Sequence, residues 1–408
     1  MGTREEANEE TIPLDVVAEC ILPSVSTKDL LRFRSVCKSW RQLIDDSYFI
    51  HKHLSLHDLT LHDRRPPFFT SIRDASRRHG LQVISFGWMN MPPSIYGMDI
   101  KCEDIVNGRI NDDNEPAKIL SLEYCPKGRG FNMLPPCKGL VLFASKSDPL
   151  CLCNPVTGEF AILPQTTAAR YKFAYSYGFG FDAHRKQFKA VYIWDGIKAS
   201  GSSYPVCECE VLSLGKDISW RQVGRLPFGH HFVCSSRSTP CHGSLHWIIR
   251  IGYLCKKNYS VLYAFDLTKE EFRRKALPAG LEEVFHLKLA EVEGNLVLMN
   301  HEAEVGLNVW VLEDYESNIW TKRHQISLES FPSGLSGMKH IRPWPLIIWE
   351  DKILLQFVLV SHMILYDSKQ KTFQRVVVGD RKLSGRHLWY IYEQDPESAL
   401  LISALCSR

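Results

Sequence analysis

Two pairs of cysteines have a spacing that could support metal chemistry. Cys151 and Cys153, and likewise Cys207 and Cys209, lie two positions apart. On a strand this spacing places both thiols of a pair on one face, where they could begin a metal site. No further Cys or His follows either pair at ligand spacing, so packing inside a core is favoured for both.

The other candidates for catalysis also have simpler explanations. His230 and His231 are adjacent and follow Pro-Phe-Gly, which favours a rim loop over a catalytic or metal pair. The run Gly178-Phe179-Gly180 lacks the third glycine of a dinucleotide loop, so strand glycines explain it better. Asp15 and Glu19 have the spacing of solvated charges on a helix face. The sequence predicts no catalytic residue, no metal ligand and no cofactor.

The composition is that of an ordinary globular protein. Of 408 residues, 49 are Lys or Arg and 46 are Asp or Glu, for a formal net charge of +3. This balance gives no reason to expect nucleic acid or a membrane as a partner. The 13 cysteines include no Cys-x-x-Cys pair, and the apolar stretch 353–366 is too short to span a membrane. We therefore expect a reduced protein of the cytoplasm, the nucleus or both.

Residues 11–56 have the pattern of a small helical module. A short amphipathic helix ends near Pro23. From Leu30 to Ile44 the apolar residues recur three and four positions apart, which predicts a continuous helix from Asp29 to Asp46. A domain of about 40 residues seldom buries enough surface to be stable alone. The large apolar side chains of this module therefore indicate a partner surface.

Two runs in this module, Leu30-Leu31-Arg32-Phe33-Arg34 and Val36-Cys37-Lys38-Ser39-Trp40-Arg41, resemble the plant type of F-box. Pro23-Ser24-Val25-Ser26 stands where that family usually has Leu-Pro. The resemblance implies docking on the Skp-family adaptor of an SCF ubiquitin ligase, with cullin bound through the adaptor. The adaptor contacts that it implies are Ile12, Pro13, Leu14, Leu30, Leu31, Val36, Cys37, Trp40 and Leu43.

After Leu54 the apolar period changes from 3.6 to 2, and a hairpin pattern recurs. In each copy a polar residue ends a strand, and an aromatic residue follows six or seven positions later. The six copies span 154–160, 182–188, 213–220, 266–272, 313–320 and 367–373. A second pattern, a glycine followed by an apolar strand, begins at Gly139, Gly243 and Gly294, with a degenerate copy at Asp351.

The two patterns recur at roughly 50-residue intervals, which is the length of a kelch-type propeller blade. One four-stranded blade cannot bury both of its faces, so blades must stack around an axis. We predict an α+β multidomain chain in which a small all-α module precedes an all-β kelch-like propeller, with six blades favoured and seven as the alternative. Its parts are a flexible acidic tail at 1–10, the F-box at 11–56, a linker at 57–67 and the propeller at 68–408.

Several propeller segments are similar to the F-box-associated domain of plant F-box proteins, S-locus-like members included. Asn154-Pro155-Val156-Thr157-Gly158, Tyr177-Gly178-Phe179-Gly180-Phe181-Asp182 and His242-Gly243-Ser244-Leu245-His246-Trp247 carry this likeness. It implies that the propeller recruits a protein substrate for ubiquitination and degradation, without bond chemistry of its own. Two alternatives stay open: an F-box scaffold or competitor that assembles no ligase, and a propeller hydrolase.

Loops rich in aromatic residues, glycine and histidine are the candidates for the substrate surface, because propellers bind through loops at one end. For each loop, a plain linker between strands is an equal explanation. The loops span 170–177, 196–205, 227–232 and 331–345, and the candidate anchors are Tyr171, His230, His231, His340 and Trp344.

Overall fold

A computed structural model describes the chain in segments that fall into two compact units. One unit is Met1–Pro67 with Asp395–Arg408, and the other is Phe68–Gln394. The described residues are 13–25, 30, 32–46, 49, 81–87, 94–100, 117–121, 132–144, 150–155, 159–166, 174–198, 205–225, 232–234, 238–251, 259–284, 287–302, 306–327, 331, 343–349, 351–356, 362–377 and 389–391.

The first unit begins with a run of three kinds of helical turn. α1 (Leu14–Val16) continues into a π-helical turn (Val17–Ile21) and then a 3-10 turn (Leu22–Ser24). The run ends directly after Pro23, as predicted, because proline cannot donate the backbone hydrogen bond that would extend a helix through it.

The prediction of one continuous helix from Asp29 to Asp46 is wrong. Residues 34–36 form a turn and Cys37 is extended, at φ −158° and ψ 168°, so a separate helix α2 (Lys38–Asp45) begins after it. The Cys37 thiol accepts a hydrogen bond from the Trp40 amide at 3.4 Å and thereby caps α2. The apolar period runs across the break because Leu30 and Ile44, on either side of it, belong to one core.

The second unit is built from strands. They are β1 (Leu81–Gly87), β2 (Ser94–Ile100), β3 (Ala117–Ser121), β4 (Asn132–Met133), β5 (Val141–Ala144), β6 (Cys151–Cys153), β7 (Phe160–Ile162), β8 (Ala174–Asp182), β9 (Gln187–Lys198), β10 (Pro205–Ser213), β11 (Arg221–Arg225), β12 (Phe232–Cys234), β13 (Thr239–Cys241), β14 (Ser244–Ile251), β15 (Tyr259–Asp266), β16 (Glu271–Lys275), β17 (Leu287–Val292), β18 (Asn295–Glu302), β19 (Gly306–Asp314), β20 (Ile319–Ile326), β21 (Trp344–Trp349), β22 (Lys352–Gln356), β23 (His362–Asp367), β24 (Thr372–Val377) and β25 (Trp389–Ile391).

These strands form six antiparallel sheets. Five sheets use strands that are consecutive in the chain, namely β4–β7, β8–β11, β12–β16, β17–β20 and β21–β24, and each makes a complete blade. The remaining sheet is composite, in the order β25-β1-β2-β3, so its strands come from both ends of the strand region. Consecutive strands thus supply five blades in the described part of the chain, and the predicted count of six, or seven, is not met by them.

The six predicted hairpins are confirmed, and their polar residues explain why the chain turns there. In the β15–β16 hairpin, Asp266 Oδ1 accepts the backbone amides of Thr268 and Lys269, both at 2.9 Å. Glu270, the last residue of this turn, has a φ of +60°. Asp182 and Asp367 accept two turn amides each in the same way. An aspartate that binds the amides ahead of it is a local turn signal.

The glycine pattern also marks hairpins. His242 and Gly243 link β13 to β14, and both have positive φ, at +47° and +65°. Glu293 and Gly294 link β17 to β18 in the same way, at +52° and +79°. Two positive values in a two-residue loop match the twist of the flanking strands, which is why glycine recurs at the second position.

The core of the second unit lies between neighbouring sheets. Trp247 of β14 and Cys207 and Cys209 of β10 belong to one cluster that joins the third and second consecutive-strand blades. The Trp247 indole donates to Ser176 Oγ of β8 at 2.7 Å, so the buried nitrogen is satisfied across the two sheets. Further clusters join each following pair of sheets, with Leu262 and Leu298 in one and Val309 and Ile364 in the next.

None of the described helices has the length and apolar character needed to cross a bilayer.

Candidate functional site

The helical module has a small core of its own. Val17, Leu22, Leu30, Ile44 and Phe49 are each 5% exposed or less. The rings of Phe33 and Trp40 meet edge to face beside them, with centroids 5.4 Å apart. Five buried side chains provide roughly 8–15 kcal/mol of gross burial, from which the entropy of ordering the module must be subtracted. Over the residues that the structure describes, this core is therefore small.

Beside this core the module presents apolar side chains to solvent. Val36 is 59% exposed and Val16 is 42% exposed, and Pro13 and Cys37 are also exposed. Val36 lies in the turn that breaks the helix, so the break itself presents this side chain. Exposed β-branched residues beside a small core form a surface that another protein can complete.

The implied adaptor contacts fall into three groups in the structure. Pro13, Val36 and Cys37 are exposed, while Trp40 and Leu43 are half-buried and line the core. Leu30 is fully buried, so its side chain supports the module from within and offers no surface to a partner. Leu14 begins α1, and only its backbone is described. Ile12 and Leu31 lie outside the described residues.

Of the candidate substrate anchors in the propeller, the structure describes Trp344 alone. It begins β21 and is half-buried, with the ammonium of Lys288 3.5 Å from the centre of its ring. Lys288 belongs to β17 of the preceding sheet, and no sequence pattern connects two residues so far apart. The other anchors, Tyr171, His230, His231 and His340, lie outside the described residues.

A polar network that the sequence did not indicate lies at the ends of β18 and β19. Asn300 and Asn308 are fully buried and donate to Glu302 Oε1 at 3.1 and 2.9 Å. The Trp310 indole donates to Asn300 Oδ1 at 3.0 Å. The side-chain amide oxygen Oδ1 of Asn308 makes no hydrogen bond to the described residues. These contacts fix the strand ends beside the 303–305 connection, and they bring together no acid, base and nucleophile.

The cysteine pairs are part of the core. Cys151, Cys153, Cys207 and Cys209 are all buried free thiols. Burial raises the pKa of the Cys209 thiol far above its ordinary value, with the neighbouring Glu210 adding to the effect. In the described part of the chain, no group of three or more His, Cys, Asp or Glu side chains is arranged to hold a metal ion.

Comparison with known families matches both units. The family model of the F-box domain matches residues 12–52, and that of the F-box associated beta propeller domain matches residues 111–392. The second match alone covers more than half of the chain. It includes the five complete blades and the β25 strand of the composite sheet.

Curated relatives come from Arabidopsis thaliana. The F-box protein At3g07870 is 24% identical over 363 residues, which cover 84% of this chain and 78% of that protein. The F-box protein CPR1 is 23% identical over 397 residues, which cover 91% of this chain and 85% of that protein. Both alignments span most of each chain, so the likeness includes the propeller.

Among solved structures, a chain of a nidogen/laminin complex has a TM-score of 0.45 and 9% sequence identity, over 77% of this chain and 99% of that chain. A likeness of that size carries no argument. The family matches, the F-box sequence and the blade architecture together decide the identity. The chain belongs to the plant F-box proteins that carry an F-box-associated β-propeller domain.

Proposed function

We propose that this protein is the substrate-recognition subunit of an SCF-type ubiquitin ligase. The observation that carries the proposal is the presence of an F-box and an F-box-associated propeller in one chain. The F-box docks on a Skp-family adaptor, which links it to cullin, and the propeller binds the protein that is to be ubiquitinated. The chain itself makes and breaks no bond.

The adaptor surface consists of the exposed apolar residues of the helical module. Pro13, Val36 and Cys37 make direct contacts, and Trp40 and Leu43 contribute the edges of their side chains that remain in solvent. Burying Val36 against a partner stabilises the complex by about 1 kcal/mol, since more than half of its surface is still in water. Ile12, Leu14 and Leu31 complete this surface, and Leu30 holds it in shape from the core.

The mechanism of such a subunit is proximity. Holding the substrate on the same assembly as a ubiquitin-conjugating enzyme turns a bimolecular encounter into an intramolecular one, at an effective concentration in the millimolar range. This demands a rigid platform, and the satisfied indole of Trp247 between two blades supports that role for the propeller. Tyr171, His230, His231, His340 and Trp344 are the substrate contacts in this proposal.

We further propose that the composite sheet is a sixth blade that closes the propeller. β25 pairs with β1, and β25 also lies against β21 of the last consecutive-strand blade. β25 would thus join β1, at the start of the strand region, to the last consecutive-strand blade. The proposed domains are a tail at 1–10, the F-box at 11–56, a linker at 57–67 and the propeller at 68–408, in the cytoplasm, the nucleus or both.

Affinity purification tests the proposed assembly. Full-length protein and a version that lacks residues 1–56 serve as paired baits in plant extract, and mass spectrometry identifies the co-purifying proteins. We expect a Skp-family adaptor and cullin with the full-length bait only, because the F-box is their docking site. Adaptor without cullin would favour a scaffold or competitor that assembles no ligase. Recovery of neither protein with either bait would contradict the proposal.

A further inference from the structure

Three hairpin turns of the propeller meet in what we call the turn cluster. One turn links β8 to β9, one links β10 to β11 in the same sheet, and one links β15 to β16 in the next sheet. In antiparallel sheets these connections project from one end. The turn cluster consists of residues 182–186, 213–221 and 266–271.

Direct hydrogen bonds join the three turns. Thr268 Oγ1 donates to Asp182 Oδ1 at 2.9 Å, and the Arg185 guanidinium donates to the Thr268 carbonyl. The Arg221 guanidinium donates to both carboxylate oxygens of Glu270, at 2.5 Å for the Nη1 contact. A bidentate arginine–carboxylate pair fixes orientation as well as distance. The turns are therefore held in one geometry across two sheets.

A buried lysine lies beneath these contacts. Lys189 is 1% exposed, and its ammonium is 2.9 Å from both Asp182 Oδ2 and Glu270 Oε1. Burial opposes ionisation of the Asp182 and Glu270 carboxyl groups, but hydrogen bonds outweigh this effect. Asp182 accepts them from Lys189, Arg185 and Thr268, and Glu270 accepts them from Arg221 and Lys189. These hydrogen bonds lower the pKa of both groups. The negative charges of the cluster are thus neutralised from within.

The outer surface of the turn cluster carries cations and one apolar side chain. His184, Lys216 and Lys269 are exposed, and neither lysine forms an ion pair with any residue that the structure describes. Ile218 lies between Lys216 and Trp220 and is 92% exposed, the highest value among the large apolar side chains of the described segments. Glu271 is the one exposed carboxylate of the turn cluster. Lysines that outnumber it around an exposed apolar side chain have the composition of a recognition surface.

The charge of such turns differs from sheet to sheet. The corresponding turn of the next sheet, between β19 and β20, exposes Glu313, Asp314 and Glu316 instead. The two turns have the same hairpin pattern, so the fold itself does not require lysine at the first or acid at the second. The exposed lysines of the turn cluster are therefore a property of this sequence and not of the fold.

We propose that the turn cluster binds the protein substrate through an acidic segment that contains an apolar side chain. This rests on the proposed function, since it names the chemistry of the substrate that the propeller presents and adds the turn cluster to the substrate contacts named there. The acidic residues of the segment pair with Lys216 and Lys269, and its apolar side chain covers Ile218. Because the turns are already fixed by the buried ionic contacts, little ordering entropy is lost on binding.

The test uses full-length protein and a fluorescein-labelled peptide in which acidic residues flank a leucine. The variant carries Lys216→Glu, Lys269→Glu and Ile218→Ser. A matched control carries Lys322→Glu, Lys371→Glu and Ile319→Ser, which make the same change in charge outside the turn cluster and remove a 52% exposed isoleucine. All six positions are exposed, so both variants should fold.

We expect the cluster variant to bind the peptide at least about tenfold more weakly than wild type, the control to stay within about twofold, and added salt to weaken wild-type binding. Equal binding by the two variants, or no binding by wild type, would overturn the inference. The inference would also be overturned if a labelled single-stranded oligonucleotide bound more tightly than the peptide and depended on the same three residues. Capture of a purified Skp-family adaptor is measured in parallel. Failure of the wild-type protein to capture the adaptor would count against the proposed function alone.

Discussion

The helical module and the propeller use apolar residues in opposite ways. The described part of the module buries five large apolar side chains and leaves Val16 and Val36 exposed. The propeller buries apolar residues in a succession of clusters between its sheets, with Trp247 and Phe265 wholly inside one of them. In the proposed function, a partner covers the exposed residues of the module, whereas recognition by the propeller depends on the exposed residues of its turns and loops.

Removing one leucine from each core should separate the two regions most strongly. Leu30→Ala in the module and Leu262→Ala in the propeller delete the same atoms from fully buried positions, at about 2–5 kcal/mol each. We expect Leu30→Ala to unfold the module, because Leu30 is one of the five buried side chains of its described core. Leu262→Ala should leave the propeller folded. Hydrogen–deuterium exchange measures both effects. The amides of α2 should lose protection in Leu30→Ala and keep it in Leu262→Ala.

Equal protection of α2 in wild type and Leu30→Ala would contradict the comparison, because the module would then have a reserve of stability that its core does not explain. Global loss of protection in Leu262→Ala would contradict it from the other side. Adaptor capture should fall in the first variant and be unchanged in the second.

The buried ionic contacts of the propeller should give it a distinctive pH dependence. The folded-state pKa of Asp182 lies below its ordinary value of about 3.9, so its contribution is complete above about pH 5 and is lost as the pH falls through the folded-state value. Asp182→Asn should cost about 2–3 kcal/mol at pH 7, since it leaves Lys189 with one carboxylate fewer. The difference in free energy of unfolding between Asp182→Asn and wild type should be smaller at pH 3.5.

Urea unfolding followed by tryptophan fluorescence at both pH values measures this difference. Glu313→Gln is the control, because it removes an exposed ion pair with Arg323 and should change stability by less than about 0.5 kcal/mol at either pH. If this difference in free energy of unfolding were the same at both pH values, the Asp182 carboxylate would contribute through its shape alone.

Local features of the fold could be predicted from the sequence, and features that join distant segments could not. The Asp182 and Asp266 hairpins and the Gly243 turn follow from residues a few positions apart. The break at Cys37 was missed because the apolar period is the same on both sides of it. The composite sheet was missed because β25 and β1 lie at opposite ends of the strand region.

The functional surfaces follow the same rule. The sequence indicated that the helical module needs a partner, but exposure decides which residues can make contact, and it separates Val36 from Leu30. Trp344 was found as an aromatic residue in a long loop, whereas its contact with Lys288 depends on how two sheets pack. The turn cluster was not indicated at all, because its three turns are joined only in the folded chain.

The most direct test of the account is the affinity of a purified Skp-family adaptor for Val36→Asp, measured by isothermal titration calorimetry. Ile162→Asp is the matched control, because Ile162 is 56% exposed on β7 and Val36 is 59% exposed in the module. We predict that Val36→Asp weakens adaptor binding by tenfold or more, since a buried, unpaired carboxylate costs at least about 1.4 kcal/mol, while Ile162→Asp binds like wild type. Equal affinity for both variants and wild type would contradict the claim that the exposed apolar surface of the module is where the adaptor docks.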